Sequence, residues 1–141
     1  MKPGVFWHPP EGAFKMQVTV TMGDVDSYQI HFSSYYRWMD LAYHKLLHRN
    51  GIKIKDMLAS AAATPAVHSE CDYLLPVHVD EELTVYAWIG QAGRSSYAVK
   101  CLFLNEEGRV VAQGKVIHVY VEYGRPKVMP AWLRNLSIEE P

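Results

Sequence analysis

MGDVDSYQIHFSSYYRWMD, residues Met22 to Asp40, is the stretch on which the architecture turns. Asp24 and Asp26 stand one residue apart where a strand-like run gives way to a polar and aromatic segment. Two serines and a helical pattern follow. Aspartates suit turns and helix starts because their short side chains bond nearby backbone. They are also the raw material of a catalytic site when a carboxylate faces a helix N-terminus, whose bare N–H groups and dipole favour negative charge.

Upstream, FKMQVTVTM alternates strictly, with Phe14, Met16, Val18, Val20 and Met22 on one face and Lys15, Gln17, Thr19 and Thr21 on the other. That period of two predicts a half-buried strand. Downstream, SSYYRWMDLAYHKLLHRNG runs with a helical period that stripes Tyr35, Trp38, Met39, Ala42 and Leu46 along one side. Ser33 or Ser34 is the expected N-cap and Gly51 the expected C-terminal stop. Residues 52–65 read as a short helix or a loop. AVHSECDYL, ELTVYAWIG, SSYAVKCLFLN and RVVAQGKVIHVYVE are β-branched or aromatic-rich and bounded by turn residues, with NEEGR as a hairpin connection. Residues 1–12 read as an irregular arm and residues 126–141 as a tail, the whole forming a single domain over 1–141. Strand, long helix, then consecutive strands imply an α+β domain with an antiparallel five-stranded sheet against one helix. One helix cannot cover both faces and edges of such a sheet, so a homodimer or homotetramer is expected.

The composition is ordinary for a globular chain: 141 residues, 49% hydrophobic, formal net charge -1. It lacks the basic surplus of a nucleic-acid binder, and no apolar run is long enough to predict a membrane span. The start, MKPGVFWHPPEG, contains no signal-like apolar stretch. Cys71 and Cys101, the two cysteines, have no CxxC spacing and sit in strand-like runs, which predicts buried thiols in a cytoplasmic protein.

The element order together with GDVDSYQIHFSSYYRWMD resembles the hotdog-fold acyl-CoA thioesterases of the 4-hydroxybenzoyl-CoA thioesterase-like branch. The matching residues are Asp24 and Asp26, then His31 and Phe32, then Tyr35, Arg37, Trp38, Met39 and Asp40. SECDYLLPVHVDEELTV, with its Tyr73-to-Pro76 step, and GRSSYAVKCLFLNEEGRVVAQGKVIHVYV are similar to the family's later strands. The likeness spans roughly Phe14 to Leu133. The chain departs from the family in its loop, Ser27 to Ile30, which lacks the usual glycine and is one residue shorter.

The resemblance implies a hotdog fold, hydrolysis of an acyl- or aryl-CoA thioester, no cofactor, and sites at subunit interfaces. It assigns Asp26 as nucleophile or general base, leaving the two open, and Asp24 as a turn or positioning group. The oxyanion donor it implies is the main-chain N–H of Phe32, with His31 and Ser33 beside it. Arg94 would meet coenzyme A phosphates, and Tyr28 would line the substrate pocket with Ser33. Tyr35 and Trp38, on the apolar stripe, read as helix core. Other constellations are weak: His44 and His48 have helical metal spacing but no third ligand, so no metal site is expected. No GxSxG elbow or phosphate-cradling glycine loop is present. The alternatives are an acyl-carrier-protein thioesterase, a non-catalytic acyl-binding hotdog protein and, behind these, a hotdog dehydratase.

Overall fold

The structure is a computed structural model that describes residues 8–26 and 29–140. Alternation makes Phe14–Thr19 the first strand, β1, with its apolar residues turned inward. It ends sooner than the pattern predicts. Val20 is fully buried, but Met22, expected on the same face, is 85% exposed. The chain has by then left the sheet to wind a short 3-10 turn over Met22–Asp24. A small hairpin, β2 (Val25–Asp26) and β3 (Gln29–Ile30), leads directly into the long helix α1 (Phe32–Arg49).

The stripe of α1 is buried as its period requires, with Tyr43 and Leu47 widening it. The helix stops where expected. The Asn50 N–H reaches the Leu46 and Leu47 carbonyls, and Gly51 takes a φ of +81 that a side chain would resist. Its start differs from expectation, since the N-cap is His31 rather than Ser33 or Ser34.

After α1 come a short helix α2 (Ile54–Ala59), β4 (Ala62–Ala63), β5 (Ala66–Tyr73), β6 (Glu82–Ala92), β7 (Ser96–Leu104), β8 (Val110–Val119), β9 (Val121–Glu122), β10 (Arg125–Pro126) and α3 (Ala131–Arg134). The long strands form one antiparallel sheet in the order β1-β6-β7-β8-β5. The β7–β8 turn is shaped by Asn105, whose Oδ1 accepts the N–H groups of Glu107 and Arg109, and by Gly108 at φ +79.

The inner face of the sheet packs on α1, with Val85, Ala87, Ile89, Val99 and Phe103 sealed against the helix stripe. A satisfied polar cluster pins the middle of the helix: the Tyr43 hydroxyl meets those of Tyr97 and Thr64, and His118 Nδ1–H donates to the Thr64 carbonyl at 2.7 Å. Burial holds the His118 imidazole below its usual pKa. The outer face is partly covered by the chain's own C-terminal segment. Ile138 packs with Trp88 and Leu102, and Lys100 Nζ pairs with Glu140 at 2.7 Å. Cys101 is buried and Cys71 half-buried, and burial pushes the Cys71 thiol up to about 12, leaving it inert. Among the described residues, no helix is long and apolar enough to cross a membrane.

Gly114, opposite both Cys71 and Cys101, lies directly against Met39 of α1. A methyl group there would overlap Met39 Sδ and stand 3.3 Å from the Glu70 carbonyl. Met39 is 1% exposed and has nowhere to go. Gly114→Ala should therefore cost about 1–3 kcal/mol in urea unfolding; an unchanged midpoint would show that the helix can lift off without penalty.

Candidate active site

The junction between β1 and α1 is organised by the Asp24 carboxylate, which is almost wholly buried. Oδ2 accepts the Thr21 N–H at 2.9 Å and the Thr21 hydroxyl at 3.1 Å. Oδ1 accepts the Ser34 hydroxyl at 2.9 Å and Arg37 Nη2 at 2.8 Å. The Asp24 carbonyl in turn takes the His31 N–H at 2.7 Å. One residue thus ties the 3-10 turn to the first two turns of α1, in the positioning role read for it. Burial alone would raise its pKa, but the Thr21 N–H, the Ser34 and Thr21 hydroxyls and the Arg37 guanidinium together hold it below the usual carboxylate range.

With His31 fixed by that bond, its Nδ1 caps the helix, accepting the Ser33 N–H at 3.2 Å and lying 2.7 Å from the Ser33 hydroxyl. An Nδ1 that accepts leaves the ring proton on Nε2. Ser34 cannot cap because its hydroxyl is committed to Asp24. Ser33 is one step too far along. The N–H of Phe32, first residue of the helix, has no carbonyl to bond within the helix and no partner among the described residues. It stands at the positive end of the helix dipole.

Asp26 differs from Asp24 in every respect. Its side chain is exposed and makes no hydrogen bond to another described residue, and it pairs across the β2–β3 hairpin with Gln29. Gln29 and Ile30 begin the wall of a pocket of about 190 Å³ beneath the head of α1. Phe32, Tyr35, Tyr73 and the run Leu75 to His78 complete it. The Leu75–Glu81 connection is led there by backbone bonds, from the Leu75 N–H to Val111 and from the Asp80 N–H to Val20. Asp26 is thus beside the pocket rather than in its wall. The head of α1 thus carries a helix N–H with no partner among the described residues and an apolar recess, with the Asp26 carboxylate on the hairpin that leads into it.

The structure places His31, Phe32 and Ser33 together at the head of α1 and Asp26 on the adjoining hairpin, and Tyr35, buried in the helix core as its stripe predicts, also borders the pocket. Tyr28 lies outside the described residues. Arg94 is not brought to the pocket within one chain. It follows Ala92 in the β6–β7 turn, whereas the site lies by the Glu82 end of β6, where that strand pairs with Thr19. Around Arg94 gather other exposed cations. The Met129 N–H and Arg134 Nη2 both reach its turn's carbonyls, and the adjoining segment carries Arg125 and Lys127. Sequence reasoning missed the clamp residues Ser34 and Arg37, along with Val77 and His78; the Tyr73-to-Pro76 step was the visible sign of that wall. His44 and His48 stack at 6.4 Å on an exposed side of α1, and no metal-ligand cluster occurs among the described residues.

Comparison with known proteins bears on the family and the fold. Residues 20–136 match the model of the thioesterase-like superfamily. A 1,4-dihydroxy-2-naphthoyl-CoA hydrolase from Synechococcus sp. (strain WH7803) is 30% identical over 116 residues, 76% of this chain and 75% of the relative. The solved 1,4-dihydroxy-2-naphthoyl-CoA thioesterase from Synechocystis superposes with a TM-score of 0.82 at 20% identity, covering 89% of this chain and 95% of that one. The BH1999 gentisyl-coenzyme A thioesterase does so at 0.78 and 23%, covering 86% and 98%. At those identities the two structures speak for the fold, which is the hotdog fold.

The Asp24 clamp has a pH signature. Its folded pKa is depressed, so the stability it contributes is present above the unfolded carboxylate value and is lost as pH falls through the folded one. At neutral pH, Asp24→Asn should lose about 2 kcal/mol of stability, the scale of hydrogen bonds to a charged group. The gap between variant and wild type should narrow in urea titrations taken at progressively lower pH. A gap constant with pH would mean the carboxylate is not held ionised by its partners.

Proposed function

Because this chain belongs to the thioesterase-like superfamily, we propose that it hydrolyses the thioester of an aryl-coenzyme A to the free acid and coenzyme A. The observation that carries this reading is the Phe32 N–H at the head of α1, without a partner among the described residues, on a residue that lines an apolar pocket, with the Asp26 carboxylate on the adjoining hairpin. A thioester carbonyl seated on that N–H develops its negative charge where the helix dipole favours it. Asp26 either adds to the carbonyl carbon itself or takes a proton from the water that does; in both cases the thiolate of coenzyme A leaves and is reprotonated. His31 holds the helix start in place through its Nδ1, so its part is to keep the Phe32 N–H aimed, with Ser33 bonded behind it. The pocket walls of Tyr35, Tyr73 and Phe32 suit a flat ring, and the relative from Synechococcus is named for an aryl-CoA substrate.

The coenzyme A phosphates need cations, and within one chain those lie at the far end of the sheet. The open edge of β5 supports an arrangement that joins the two. Residues 66–70 are exposed on both faces, Val67 by 61%, and among the described residues the strand is paired on one side, to β8. An unprotected edge of this kind is a template for another strand. Two copies pairing β5 with β5 about a twofold axis would run the strands antiparallel. The Ala66 end, which neighbours His118 and through it Tyr97 and the Arg94 turn, would then stand beside the other copy's Tyr73 end and its pocket. A homodimer so built supplies the partner's Arg94 to this chain's substrate.

Two measurements test this. Thiol release from benzoyl-, naphthoyl- and fatty acyl-CoA should show turnover with the aryl members, and Asp26→Asn should lower kcat by roughly a hundredfold or more; a variant that keeps its rate would remove Asp26 from the chemistry. Val67→Lys, which places a charge on the open edge, should convert the dimer to monomer in sedimentation and depress kcat/KM by about tenfold or more, chiefly through KM. A monomeric variant of full activity would show that one chain binds the whole substrate.

A further inference from the structure

Among the described residues four tyrosines are buried: Tyr35, Tyr43, Tyr97 and Tyr120, each no more than 6% exposed. A buried tyrosine hydroxyl ordinarily finds a partner, since leaving it unpaired costs free energy. Three of them do: Tyr43 and Tyr97 bond each other, and Tyr120 donates to Glu122 Oε2 at 2.7 Å. The Tyr35 hydroxyl bonds to no described residue. Among the described residues every side-chain oxygen or nitrogen sealed from solvent has a partner. The Tyr35 hydroxyl is therefore one that keeps contact with open space, and the space Tyr35 borders is the pocket beneath the head of α1.

Packing does not need that hydroxyl. The ring is held by Trp38 at 5.4 Å, Phe103 at 5.2 Å and Tyr73 at 5.3 Å between centroids, contacts a phenylalanine would make equally well. Nor is it an acid. Burial, with Cys71, Tyr73 and Glu81 nearby, raises its pKa well above the ordinary phenol range, so it remains a neutral group able both to donate and to accept. Its place relative to the reacting bond follows from helix geometry. Tyr35 is three residues after Phe32, and helical side chains lean toward the N-terminus, which sets the Tyr35 ring under the turn that presents the Phe32 N–H. An acyl group whose carbonyl sits on that N–H extends toward Tyr35.

We propose that Tyr35 is a specificity-determining residue, whose hydroxyl hydrogen-bonds a hydroxyl substituent on the acyl portion of the thioester. The inference rests on the reading of the pocket as the acyl site and narrows its substrates to hydroxylated aryl groups. An unsubstituted ring leaves the buried hydroxyl dry and unpaired, and a site built around such a bond discriminates against the analogue that lacks it.

The test uses matched pairs: benzoyl-CoA against its 2-, 3- and 4-hydroxy derivatives, and 2-naphthoyl-CoA against 1-hydroxy-2-naphthoyl-CoA, with wild type beside Tyr35→Phe. In wild type, kcat/KM should favour at least one hydroxylated member over its plain partner by roughly tenfold. In the variant that ratio should collapse toward one. A wild type with no preference, or a variant that slows both members of each pair alike and keeps the ratio, overturns the inference while leaving the thioesterase reading intact. A wild type that turns over no thioester of the set overturns both.

Discussion

The Asp24 carboxylate is the interaction on which the rest of the site depends. Four donors from two elements converge on its two oxygens, and its own carbonyl fixes the residue that caps α1. Remove the charge and the 3-10 turn, the β2–β3 hairpin and the helix start lose their common anchor. The clamp also settles a division of labour between two nearby acids. Asp24 spends all its acceptor capacity on structure, whereas Asp26, two residues on, accepts no side-chain hydrogen bond from the described residues.

A helix N-terminus is useful to a thioester only if its first N–H stays bare while the remaining end groups are satisfied. Here His31 takes the Ser33 N–H with its side chain and the Ser34 N–H with its carbonyl, so the orphan donors of the first turn are reduced to the one at Phe32. The stripe below it is oily and aromatic because α1 must bury that side against the sheet. The same stripe provides the pocket floor where the sheet falls away between Tyr73 and Val77. Core and pocket wall are one surface, continued past the point where packing ends.

The sheet imposes a second constraint. Its outer face is partly closed by the chain's own Trp88, Lys100 and Glu140, whereas the edge at β5 is left open. The cations around Arg94 stand at the end of the sheet away from the pocket, and the dimer proposed above, paired at the open edge, would bring the two together.

Much of this was legible in the linear chain. Period-two runs, the single helical stripe and the glycines at 51 and 108 determined the elements and nearly their limits, because burial on one face imposes its period directly on residue type. The motif from Asp24 to Asp40 pointed to the strand-to-helix junction and read Asp24 as a turn or positioning group, which is how its hydrogen bonds use it. The tertiary structure alone decided that His31 caps the helix, that Met22 points outward, and that the four partners of Asp24 come from both sides of the turn, because long-range hydrogen bonds leave no period in the chain. It also decided that Tyr35 is a pocket residue. On a helical wheel Tyr35 and Trp38 are equivalent, and only the course of the Tyr73–Val77 segment makes one of them, Tyr35, border the pocket.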